Sequence, residues 1–113
     1  MDIIEHVLKN GGITLDMDRK PVSHNDGFYV SIAALDRIAI HNLTELRIDK
    51  NLLLLKKIYG HVEGVYLGLW IDKGECYIDA SIHVKQGWYA MMLGKTFQQV
   101  AIWDCENRKG VRV

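Results

Sequence analysis

The 113-residue chain lacks a surplus of either charge, with 14 lysines and arginines against 14 aspartates and glutamates. A neutral chain has no cationic stripe with which to hold phosphates regardless of base sequence. It also lacks the one-signed, apolar-poor composition of a disordered polymer. Long apolar runs are missing: Leu52–Leu55 and Trp88–Leu93 fall far short of the roughly 18 residues a membrane helix needs. No leader is legible either, because Asp2 and Glu5 stand where a basic segment would, and His6 and Lys9 interrupt any apolar one. The expectation is a cytoplasmic chain without membrane contact.

Cysteine is scarce. Cys76 and Cys105 match neither a zinc spacing nor C-x-x-C, and a cytoplasmic disulfide is not expected. The single proline, Pro21, and the absence of a Ser/Gly-rich stretch leave no linker, so residues 1–113 read as a single domain. His6, His24, His41, His61 and His83 are scattered and form no H-E-x-x-H motif. No glycine-rich phosphate loop is present. Neither a metal nor a cofactor is expected.

What is there begins with an amphipathic stretch over residues 2–10, stopped by Asn10-Gly11-Gly12, which predicts a short helix. Residues 13–15 read as a strand, 16–26 as a loop and 28–32 as a strand. Residues 33–42 have no firm pattern and fit one helical turn followed by a strand at 38–41. A helix is predicted over 49–59 with Asp49 as its cap, another over 86–95 ending at Gly94, and strands over 99–104 and 111–113.

The clearest signal lies between. Residues 65–72 and 75–83 alternate with period two around Lys73-Gly74, which predicts a β-hairpin pairing Trp70 with Tyr77, Gly68 with Asp79 and Tyr66 with Ser81. The fold class is α+β: an antiparallel sheet containing this hairpin, a following helix and a further strand, covered by short helices.

Alternation also sorts the hairpin into two faces. Val65, Leu67, Leu69, Ile71, Cys76, Ile78, Ala80 and Ile82 make one apolar face, which belongs to the core. The other carries Tyr66, Trp70, Tyr77, Asp79, Ser81 and His83, and the pattern of the later strand adds Trp103. This second face has three readings. It is covered by the first helix or the loop after Leu15, since two exposed tryptophans make a costly patch. Alternatively it binds protein, because Trp and Tyr dominate interface hot spots. Or its rings stack on nucleic-acid bases, which Asp72, Glu75 and Asp79 oppose by repelling phosphate.

Asp79, Ser81 and His83 invite a nucleophile reading, but same-face neighbours on a strand stand about 7 Å apart, too far for a Ser–His hydrogen bond. A metal-independent ribonuclease needs less: an acid or histidine base, a second acid and a cation. His83, Asp79 and Arg108 or Arg112 supply those types.

The stretches YLGLWIDKGECYIDASIHV (Tyr66–Val84) and QVAIWD (Gln99–Asp104) resemble a group of small proteins carried by bacteriophages and by integrating or conjugative elements. The opening helix ending in Asn-Gly-Gly and the later FYVSI segment are similar too. The resemblance carries no catalytic residue. It implies a binder of a host protein or nucleoprotein complex, including an inhibitor of a host defence nuclease complex in the manner of an anti-CRISPR protein. The zero net charge departs from the acidic surface of nucleic-acid mimics. The expectation is therefore protein binding through Tyr66, Trp70, Tyr77, Asp79 and Trp103, with a small ribonuclease or nucleic-acid binder as the alternative. A homodimer paired through the last strand is a further possibility.

Overall fold

The computed structural model describes residues 2–113. In chain order it contains α1 (Ile3–Asn10), β1 (Gly12–Leu15), β2 (Phe28–Ala39), a 3₁₀ turn (Ile40–Asn42), α2 (Glu45–Tyr59), β3 (Val65–Asp72), β4 (Glu75–Val84), α3 (Gly87–Thr96), β5 (Ala101–Asp104) and β6 (Lys109–Arg112). The strands form a six-stranded antiparallel sheet in the order β1-β3-β4-β2-β5-β6, curled into a half-barrel. This is the α+β architecture the pattern predicts.

The hairpin register is as expected, with Asp72 opposite Glu75, Trp70 opposite Tyr77, Gly68 opposite Asp79 and Tyr66 opposite Ser81. Lys73 and Gly74 both take positive φ (50° and 78°). Two left-handed residues give the turn the twist its flanking strands require.

β2 is the spine of the sheet and the main departure from expectation. It runs unbroken through Ala39, where residues 33–42 had no firm pattern, and pairs with β4 along its length. Two register shifts, between Ser31 and Ala33 and between Ala34 and Asp36, insert Ile32 and Leu35 as extra residues. Each bulge moves the in/out alternation by one residue and bends the strand. That bending accompanies the curl of the sheet.

All the helices lie on the apolar face. Ile3 and Val7 of α1, Ile48, Leu52 and Leu55 of α2, and Leu67, Leu69, Ile78 and Ala80 of the hairpin form one core. Val30, Val84, Ala90 and Ile102 form a second under α3. The caps follow ordinary chemistry. Asp2 accepts from the Glu5 N–H at the start of α1, and Gly11 (φ 85°) closes it. α2 starts four residues before the expected position, because the Thr44 side chain caps it by accepting from the Arg47 N–H, and Asp49 lies inside the helix. α3 continues past Gly94, which is buried where a Cβ would meet Ile102 and Val113.

One polar group on the helix side is fully matched. Asp36 faces α2 and accepts from Arg47 Nε at 2.6 Å and Nη2 at 2.9 Å, and from the buried Asn51 amide at 2.8 Å. The Arg47 hydrogen bonds, with help from Asn51, hold its carboxyl well below the usual carboxylate range. No helix among the described residues is long and apolar enough to cross a membrane.

Candidate functional site

With the helices on one face, the other is left to side chains and loops. Trp70 and Gly68 of β3, Tyr77, Asp79 and Ser81 of β4, and Tyr29 and Ser31 of β2 occupy consecutive positions across it. Trp103 joins them because β5 pairs with β2 so that Trp103 stands opposite Tyr29. The curl of the sheet turns this face into a trough of about 1340 Å³, with β1 along one side and the β5–β6 end along the other.

Asp79 forms the floor. It is 8% exposed, and its Oδ1 accepts from Ser81 Oγ at 2.8 Å while its Oδ2 accepts from Trp70 Nε1 at 3.3 Å. The Ser31 hydroxyl stands beside it as a further donor. None of these is charged, and among the described residues no lysine, arginine or histidine pairs with it. Burial therefore dominates and pushes its pKa up, against the pull of the hydrogen bonds. Gly68 is the condition for this placement. A Cβ there would collide with Asp79 Oδ1 and crowd Ser81 Oγ at 3.2 Å.

At one end of the floor the Trp70 and Tyr77 rings stack, 4.4 Å apart and 15° from parallel. The Arg37 guanidinium lies 5.0 Å from the Tyr77 ring centre and is ion-paired with Glu75. At the other end the 16–26 loop folds over. Its His24 ring stacks on His83 at 3.8 Å, meets Tyr66 edge-on at 5.8 Å, and joins its Nδ1 to the Tyr29 hydroxyl at 2.6 Å. Burial and the neighbouring His83 lower the His24 pKa, and burial pushes the Tyr29 hydroxyl up to about 12.

The reading that this face is covered thus holds for one part of it only. Tyr66 is roofed by the loop, whereas Trp70 and Trp103 remain 43% and 45% exposed on opposite sides of the trough. Trp70, Tyr77, Asp79 and Trp103 line the trough together; Tyr66 is not part of the lining and meets the His24 ring edge-on. Ser81 gives its hydroxyl to Asp79, not to His83. His83 Nε2 lies 2.7 Å from the Asp26 carbonyl oxygen, which only accepts and so fixes a proton on that nitrogen. Neither residue is arranged as a nucleophile–base pair. Arg108 reaches the trough wall; Arg112 lies on the outer strand.

Sequence reasoning missed Ser31, Tyr29 and His24. The signal for Tyr29 and Ser31 was the FYVS alternation, which becomes legible once β2 is known to pair with β4. It also passed over Trp88, which is 72% exposed on α3, away from the trough. Burial pushes the thiols of Cys76 and Cys105 up to about 11 and leaves both unreactive. No group of three or more His, Cys, Asp or Glu among the described residues is placed to hold a metal.

Fold and site together define a two-layer α+β protein with helices on one face and an open aromatic trough on the other. Comparison with family models, curated proteins and solved structures gives no match.

Proposed function

We propose that this protein acts by binding another protein, which it grips with the aromatic sides of the trough. The observation that carries this reading is the pair Trp70 and Trp103. Both rings stand half out of the surface on facing sides of a concavity lined mainly by strands and loops. Large rigid rings beside a desolvated polar floor are the usual make-up of an interface hot spot. Asp72 and Asp79 along the trough disfavour a phosphate backbone as the occupant. The resemblance to phage and mobile-element proteins makes a host protein or nucleoprotein complex the partner, met in the cytoplasm, and inhibition of a host defence nuclease complex the consequence.

Affinity capture from host lysate tests this with wild type beside Trp70→Ala/Trp103→Ala. One stoichiometric protein, lost from the double variant while its melting temperature stays close to wild type, is the expected result. Cleavage of RNA by the purified chain that survives chelator and disappears in His83→Ala would overturn it in favour of a ribonuclease.

A further inference from the structure

We propose, on the reading that the trough binds a partner protein, that its floor receives an arginine side chain of that partner. Asp79 is the receiving carboxylate, and the outer face of Trp70 is the surface on which the guanidinium stacks.

The protein already contains one complete example of this arrangement. Arg37 lies over Tyr77 while it pairs with Glu75, so cation, ring and carboxylate occur as a unit at the outer end of the stack. One ring inward, Trp70 and Asp79 supply ring and carboxylate, already joined by the indole N–H at 3.3 Å. The third member is missing. Among the described residues every ion pair lies elsewhere, at Asp36, Glu45, Asp49 and Glu75.

Space and hydrogen-bonding capacity agree. A carboxylate accepts about four hydrogen bonds. Ser81, Trp70 and Ser31 are the donors around Asp79, which leaves a position toward the trough. Glycine at position 68 gives Oδ1 the room it occupies, and Asp79 itself lines the trough. Arginine suits the site better than lysine, because its planar, weakly hydrated guanidinium stacks on an indole and bonds a carboxylate at its edge. Among the described residues Arg108 is the only arginine lining the trough, and it belongs to the exposed turn between β5 and β6.

The Trp70 indole N–H is a built-in reporter, and with three tryptophans in the chain its NMR signal is assignable from Trp→Phe variants. Wild type is titrated with N-acetyl-arginine amide and, separately, with its uncharged isostere N-acetyl-citrulline amide. A saturable shift of the Trp70 signal with the arginine compound, at least tenfold weaker with citrulline and absent in Asp79→Asn, is expected. Equal response to citrulline, or undiminished arginine binding by a folded Asp79→Asn, would each overturn the proposal. Capture separates this from the broader reading. A partner lost from Trp70→Ala/Trp103→Ala but held at full affinity by Asp79→Asn leaves protein binding standing and removes the arginine site. A partner kept by both variants removes the trough as the interface and this proposal with it.

Discussion

The two faces of one sheet obey opposite rules. On the helix side each inward group is apolar or matched: Leu67 and Ile78 are fully covered, and Asp36, the carboxylate turned toward α2, has an arginine and an amide on it. On the trough side a second carboxylate is better hidden still but meets only neutral donors, and indole rings face water. Stability accounts for the first face. It does not account for the second, since burying an unpaired charge and exposing rings both cost free energy.

Substitutions should sharpen that contrast. Leu67→Ala removes a fully buried side chain and is expected to cost about 3 kcal/mol, read from urea unfolding. Gly68→Ala should cost about 2 kcal/mol by the same measurement, because the new methyl displaces Asp79 from its hydrogen bonds. Trp70→Ala should lower stability by only about 1 kcal/mol, the worth of its stack on Tyr77, yet weaken partner binding by about 2 kcal/mol. A stability loss as large as that of Leu67→Ala would make Trp70 a core residue and erase the difference between the faces.

Acid distinguishes the two carboxylates by sign. Arg47 and Asn51 depress the Asp36 pKa in the folded state, so its contribution is complete above the unfolded value of about 3.9 and is lost as pH falls below it. Asp36→Asn should therefore flatten the acid side of a stability–pH curve. Burial raises the Asp79 pKa, so its effect runs the other way. The neutral acid fits the fold below about pH 3.9, and stability is lost as pH rises from there toward the folded pKa.

The hairpin was legible because its turn and alternation agree, and with it Trp70, Tyr77 and Asp79 fell on one face. Of β2 only residues 28–32 were, because Ile32 and Leu35 are bulge residues that break the period of two while still packing on the core. Tyr29 and Ser31 lay on that predicted strand, but without its pairing to β4 they had no place on the face. The start of α2 was missed for a smaller reason: Thr44 and Asp49 are both sound caps, and Leu43, buried just before Thr44, favours the earlier one. Nor does any sequence pattern announce that His24 would reach across to roof Tyr66, a contact between a loop and a strand far apart in the chain.

Urea unfolding of Asp79→Asn beside wild type at pH 7 tests the contrast most directly. The two serine hydroxyls can reverse their roles to suit an amide, so the variant keeps the hydrogen bonds and loses only the cost of burying an ionisable carboxyl. A higher midpoint at unchanged slope is the predicted result. A lower midpoint would make Asp79 a structural acceptor for Trp70 and Ser81, and would contradict the view that this face gives up stability in order to bind.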